Sequence, residues 1–126
     1  MTSLTRTALE ELEAAFEAFN AGDPERLIAA YDQDEVLLVG TDGHDWHDDP
    51  AAIATALRAE AGAVRADWDL RMLPAGDDRG VVAGTMRLVL ADGTVIPVRA
   101  TYAMRRRPEG WRIVHSHLSV ARAPVA

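Results

Sequence analysis

The stretch Val64-Arg65-Ala66-Asp67-Trp68-Asp69-Leu70-Arg71-Met72 alternates apolar and charged residues without a break. A period of two places Val64, Ala66, Trp68, Leu70 and Met72 on one face of a strand and Arg65, Asp67, Asp69 and Arg71 on the other. Such a strand meets a core on one side and water on the other. The turn from Pro74 to Gly80 ends it, and Val81 to Ala91 reads as a second long strand. Asp92-Gly93 is a hairpin signal, so Thr94 to Arg106 returns antiparallel, with Ile96, Val98, Ala100, Tyr102 and Met104 on one face. Pro97 has no N–H to give to a ladder and belongs at an edge or a bulge. Pro108-Glu109-Gly110 turns the chain again, and Trp111 to Val120 forms the last strand. Both faces of that strand are mixed, which leaves the side taken by His115 and His117 open.

Upstream of this block the period is 3.6. Thr7 followed by Glu10 forms a capping-box pattern, and Leu9, Leu12, Phe16 and Phe19 recur at helical spacing in a helix that runs to about Asn20. Gly22 stops it. Asp23-Pro24 starts a second helix, because Asp caps and Pro suits the first helical position, and Leu27, Ile28 and Tyr31 form its buried stripe. Val36 to Val39 is a short apolar strand that enters a Gly-rich loop, Gly40 to Asp49. Asp49-Pro50 repeats the cap-and-proline device for a third helix, which turns Ile53, Ala56 and Leu57 inward and stops near Gly62.

The order is helix, helix, strand, helix and four antiparallel strands, an α+β arrangement within one domain spanning residues 1–126. Long antiparallel strands twist into a curved sheet, and amphipathic helices bury their apolar stripes on its concave side. The expected shape is a cone with an interior cavity at its wide end, where a ligand sits among apolar walls and a few polar groups.

Composition narrows the chemistry. With 126 residues, 48% hydrophobic and 26% charged, the chain can fill a core and still dissolve. Its net charge of −7 argues against nucleic acid as a partner. There is no cysteine, which excludes disulfides, thiolate nucleophiles and cysteine-ligated metals, and all 13 basic residues are Arg, which excludes Schiff-base chemistry. No segment approaches the ~18–20 apolar residues of a membrane span. The start, from Met1 to Phe19, mixes Arg6 with glutamates, unlike a secretory signal, so a cytoplasmic location is expected.

Four segments taken together resemble the nuclear transport factor 2-like superfamily, and more narrowly its SnoaL-like branch. They are Phe19-Asn20-Ala21-Gly22-Asp23-Pro24, the helix continuing to Tyr31, the start Asp49-Pro50-Ala51-Ala52-Ile53, and the ending Trp111-Arg112-Ile113-Val114-His115-Ser116-His117-Leu118-Ser119. The closing Trp, His-x-His and Ser also resemble the association domain of calcium/calmodulin-dependent kinases. That likeness implies a cavity-facing Arg87, with Tyr102 and Leu118 at two further cavity positions that are arginine in the association domain. The superfamily includes ketosteroid isomerases, but their helix-one tyrosine falls near Ala15 and their base near Gly40, so that constellation is missing. Pairing of relatives through the outer sheet face implies a homodimer, with Met86, Leu88 and Leu90 on the face opposite Arg87.

The candidate site follows from these readings. A carboxyl facing an apolar cavity becomes a better general base, and Asp42, two residues from Gly40, is the candidate; its other reading is a turn residue capping its own backbone. Arg87 interrupts an apolar strand and needs a carboxylate, from a ligand or from Asp42 or Asp45. Tyr102 and Tyr31 either orient a ligand oxygen or satisfy a core hydrogen bond. Trp46, with Trp68, either walls the mouth or packs on the sheet, and His117 completes the ligand-binding candidates. His44 and His47 with Asp45, Asp48 and Asp49, or His115 with His117, have the residue types of a metal site but no convergent spacing, and no metal or cofactor is expected. Arg105, Arg106 and Arg107 read as a solvated hairpin end. The expected partner is a small organic molecule, with no nucleic acid and no membrane. The leading expectation is a cofactor-independent SnoaL-type enzyme, an isomerase, cyclase or hydrolase, in which Asp42 or a histidine moves a proton while Arg87 and Tyr102 hold oxyanion charge. The alternative is a ligand-binding or dimerisation module without catalysis.

Overall fold

The computed structural model describes residues 6–120. The first five residues of the stretch read for a secretory signal lie outside the described part. Helix α1 (Ala8–Asn20) starts as the capping box requires: Glu10 N–H donates to Thr7 Oγ1 at 3.1 Å, and Thr7 N–H donates to Glu10 Oε1 at 2.9 Å. It buries Leu12, Ala15, Phe16 and Phe19. Helix α2 (Glu25–Ala30) is entered through Asp23, whose carboxylate accepts Glu25 N–H at 3.1 Å; Leu27 and Tyr31 are buried and Ile28 is half-buried. Helix α3 (Pro50–Glu60) is capped by Asp49, which accepts Ala51 N–H at 3.2 Å, and turns Ile53 and Leu57 inward.

Six strands form one sheet. They are β1 (Leu37–Val39), β2 (Trp46–His47), β3 (Val64–Pro74), β4 (Arg79–Leu90), β5 (Val95–Arg107) and β6 (Gly110–Val120), in the spatial order β2-β1-β6-β5-β4-β3. The four long strands are antiparallel neighbours as expected. Two features were not expected: β1 lies parallel to β6, pairing Leu37 with His115 and Val39 with His117, and the Gly-rich loop folds back as β2 against β1. Pro97 pairs with Arg87 of β4 just beyond the last β5–β6 pair, Val98 with Val120, at a corner of the ladder. The sheet is curved, mixed and unclosed, and the helices pack on its concave face over a core that includes Leu12, Ile53, Val82, Met104 and Ile113. Each fully buried side chain of this size contributes roughly 1.5–3 kcal/mol.

Gly84 allows the closest approach inside the sheet. A Cβ there would collide with the carbonyl oxygen of Asp69 on β3, so only glycine fits this crossing point. On the far edge of the sheet, Asn20 at the end of α1 acts as a strand partner for β3. Its amide donates to Ala66 O and its carbonyl accepts Ala66 N–H, both at 2.8 Å.

One expectation about side-chain direction is overturned, and one question left open in β6 is answered. Arg87 is exposed, paired in register with Asp67 of β3, while Met86 is buried and Leu88 and Leu90 turn to the concave side. The opposition of Arg87 to these three residues holds, but inside and outside are exchanged, and with it goes the apolar outer patch from which a dimer was argued. In β6 the pairing jumps from Met104–Ile113 to Ala103–His115, a bulge at Val114. The extra residue changes the phase of alternation. Trp111 and Ile113 point in before it, Ser116 and Leu118 point in after it, and His117 is exposed.

Arg107 is not a solvated arginine. Its Nε and Nη2 donate to the two carboxylate oxygens of Asp32 at 2.9 Å each, and the Asp32 side chain is only 4% exposed. Asp32 also accepts the N–H groups of Asp34 and Glu35, and its own N–H donates to Ile113 O. This clamp joins the end of α2 to the β5–β6 turn. The arginine holds the Asp32 carboxyl below its ordinary pKa.

Candidate functional site

The concave face encloses a cavity of about 240 Å³. Its walls are apolar, among them Phe19, Leu57, Leu88 and Leu118, and its solvent-exposed lining residues, Thr41 and Glu60, lie on the β1–β2 loop and the last turn of α3, which marks that side as its mouth. Interiors of folded domains hold few voids larger than a water molecule, so a space of this size departs from ordinary core packing.

Three buried hydroxyls stand in the cavity wall. Tyr31, at the end of α2, and Ser116 of β6 share a hydrogen bond of 3.0 Å, and burial pushes the Tyr31 phenol up to about 12. Tyr102 of β5 is 3% exposed, packs edge-on against Phe16, and has as its hydroxyl's one partner among the described residues the thioether of Met86 at 3.6 Å. Desolvation raises its pKa well above the ordinary phenol range. A thioether is a weak acceptor, and the phenolic oxygen keeps its own lone pairs unused.

The mouth carries the charge. Asp45 and His47 from the loop and Glu60 from the end of α3 line it, with Gly40 and Thr41. Gly40 permits this loop: a Cβ there would fall 2.5 Å from the Asp45 Cβ and 2.7 Å from its carboxylate. Asp45 is fixed further by Asp42 N–H, which donates to its Oδ2 at 3.2 Å, and by its own carbonyl, which accepts Gly40 N–H at 2.8 Å. Although much of the Glu60 side chain meets solvent, its carboxyl is desolvated at the cavity edge, which raises its pKa; Asp45 adds to the rise and His47 opposes it.

Of the residues singled out from sequence, Tyr31 and Tyr102 line the cavity; Asp42, Trp46, Arg87 and His117 do not. Asp42 takes its turn reading, accepting His44 N–H at 2.9 Å in an exposed bend. Trp46 is 63% exposed, because in the two-residue strand β2 it is His47 that reaches the lining. Trp68 packs on Phe16 and donates its indole N–H to Glu13 at 2.9 Å. The Leu37 carbonyl oxygen accepts from His115 Nδ1, 3.1 Å away, tying β6 to β1. Among the described residues no group of three or more His, Asp or Glu side chains is arranged to hold a metal ion, and no helix is long and apolar enough to cross a membrane.

Glu60 was missed, yet its spacing was visible: Ile53, Ala56, Leu57 and Glu60 occupy one helical stripe, so the glutamate falls on the inward face. Asp45 and His47 stood out only as residues of a metal-type loop, Asp45 also as a partner for Arg87, and Ser116 had no comparable signal. They are brought together by the fold-back of the β1–β2 loop and the bulge in β6.

Comparison with known proteins bears on the same architecture. The sequence profile of the SnoaL-like domain matches residues 9–123. Among solved structures the chain is similar to a suggested dehydratase of the nuclear transport factor 2-like family from Streptomyces avermitilis, with 20% identity, a TM-score of 0.78, and 97% of this chain and 99% of that one covered. It is also similar to a suggested calcium/calmodulin-dependent protein kinase type II association domain from Thiobacillus denitrificans, with 24% identity, a TM-score of 0.76, and coverage of 92% and 96%. A third is a nuclear transport factor 2-like protein of unknown function from Pseudomonas putida, with 19% identity, a TM-score of 0.78, and coverage of 98% and 90%. No relative is found among the curated proteins. These structural likenesses speak to the fold, while the match over nearly the whole sequence settles the family: this chain belongs to the SnoaL-like domain family.

Proposed function

We propose that this chain binds a compact, largely apolar small molecule inside the cone, with one polar atom of the ligand set against the Tyr102 hydroxyl. The observation that carries this reading is a buried phenol that faces an apolar cavity with nothing better than a thioether to bond. A ligand donor placed there gains a hydrogen bond at a group already desolvated, so little of its value is lost to competing water. A space of about 240 Å³ suits a molecule smaller than the drug-sized ligands of ~300–1,000 Å³ pockets.

Proton transfer on such a ligand is the enzymatic extension of this reading. With Asp42 outside the cavity, Glu60 is the carboxyl whose desolvation suits general acid–base work, across the cavity from the Tyr31–Ser116 pair and Tyr102. Among the described residues no arginine lines the cavity, and Arg87 is exposed, so oxyanion stabilisation by Arg87 is not part of the proposal.

Calorimetric titration with benzyl alcohol tests the binding reading. Leu88→Trp, which fills the cavity from its half-buried wall, is expected to abolish the heat of binding, and Tyr102→Phe to weaken affinity roughly three- to tenfold, the worth of one hydrogen bond. Unchanged affinity in Leu88→Trp contradicts cavity binding.

Pairing of two copies through the convex sheet face is a second reading. Its support is a short strip of half-buried small apolar residues, Val81 beside Ala103 with Ala83 next along β4. A monomer mass at micromolar concentration in solution counts against it.

A further inference from the structure

We infer that the cavity mouth selects its ligand by charge, taking an apolar molecule that carries an ammonium group and rejecting the carboxylate of the same skeleton. This rests on the cavity-binding reading above and adds the chemical class of the ligand to it.

Three observations converge. Among the described residues the ionisable groups in the lining are Asp45, His47 and Glu60 at the mouth and Tyr31 and Tyr102 within, with no arginine. The two carboxylates are held by different elements, Asp45 on the loop that Gly40 seats and Glu60 on the last turn of α3, so they flank one opening rather than run along one surface. Neither has a cationic partner among the ion pairs of the described residues, whereas Asp32, Asp67 and Glu25 are each paired with an arginine. An independent pointer to a ligand lies deeper in the same cavity, where Tyr102 presents its nearly unpartnered hydroxyl to the apolar space.

The electrostatics follow from this arrangement. Two carboxylates at the edge of a low-dielectric cavity repel each other, consistent with the opposing effects of Asp45 and His47 on Glu60. The Glu60 charge reaches inward far enough to raise the pKa of both Tyr31 and Tyr102. A ligand ammonium between Glu60 and Asp45 relieves that repulsion while its hydrocarbon body displaces water from the walls. A ligand carboxylate meets two like charges and no cation beyond His47. The mouth position matters, because an ammonium left partly in solvent avoids the desolvation cost of a fully buried ion.

The test uses benzylamine, benzyl alcohol and benzoate, which share one ring and differ in the charge of the head group. By calorimetry at pH 7.5 and low salt, the wild type is expected to bind benzylamine at least tenfold more tightly than benzyl alcohol, with benzoate weakest. Glu60→Gln reduces the amine-to-alcohol ratio about tenfold, whereas Asp69→Asn, which removes an exposed charge from the outer face of β3, leaves the ratio unchanged. An equal ratio in wild type and Glu60→Gln, an equal fall in both variants, or benzoate binding best overturns the inference. If benzyl alcohol binds and is blocked by Leu88→Trp while benzylamine shows no preference, charge selection fails and cavity binding stands. If none of the three binds, both fail.

Discussion

Two carboxyls at opposite ends of the cone have contrary surroundings. At the closed end Asp32 accepts four hydrogen bonds, two of them from Arg107, and its pKa lies below the ordinary aspartate value. At the mouth Glu60 has no cationic side chain paired with it among the described residues, borders apolar walls and a second carboxylate, and its pKa lies above the ordinary glutamate value. The residue chemistry is almost the same. The partner decides whether the acid joins elements of the fold or remains available for something else to neutralise.

The sharpest way to break this comparison is to remove the Asp32 charge. Asp32→Asn leaves Arg107 facing a neutral amide, and urea unfolding at pH 7 should show a loss of about 2–3 kcal/mol, below the ~3–5 of a fully buried pair because Arg107 keeps 22% of its side chain exposed. The sign with pH follows from the lowered pKa. The contribution is complete above the ordinary aspartate value of 3.8 and is lost as pH falls through the lower native value, so the gap between wild type and variant should close in strong acid. A variant as stable as the wild type at pH 7 removes the clamp from the account.

A smaller effect is expected where a polar side chain supports the edge of the sheet without charge. Asn20→Ala leaves both backbone groups of Ala66 without their partner, and a loss of about 1–2 kcal/mol is expected in thermal unfolding. A loss as large as that of Asp32→Asn erases the distinction between charged and neutral ties.

The smallest effect carries the opposite sign. Glu60→Gln removes a desolvated charge, so the variant should be slightly more stable than the wild type at pH 7, within the ~0.5 kcal/mol typical of surface changes. A raised native pKa favours folding fully below the ordinary glutamate value of 4.5, and this advantage is lost as pH rises through the native value. The two proteins should therefore converge below pH 4.5. Destabilisation by Glu60→Gln at neutral pH contradicts an unpaired carboxyl.

The sequence was readable where the signal is local. The Thr7–Glu10 box, the Asp49-Pro50 start and the alternation from Val64 to Met72 each reside in a few consecutive residues, and each forms as expected. The face of β5 that carries Tyr102 was equally plain, because Arg99, Thr101 and Arg105 mark its other face. On β4 apolar residues fill both sides and alternation has no phase, and the likeness to the association domain placed Arg87 on the wrong face. In β6 a single extra residue at Val114 reset the phase, something no pattern of hydrophobicity records. The Asp32–Arg107 pair joins residues 75 apart and had no local trace. Glu60 differs from these, since its helical spacing from Ile53, Ala56 and Leu57 was present and only its polarity hid it.

The central claim is that the concave space receives a small molecule. Methyl-resolved NMR during titration with benzyl alcohol addresses it directly. The account predicts shifts concentrated on the methyls of Leu57, Leu88 and Leu118, saturating together and absent in Leu88→Trp. Shifts confined to Val81, Ala83 and Ala103 on the convex face, or none at saturating ligand, would contradict it.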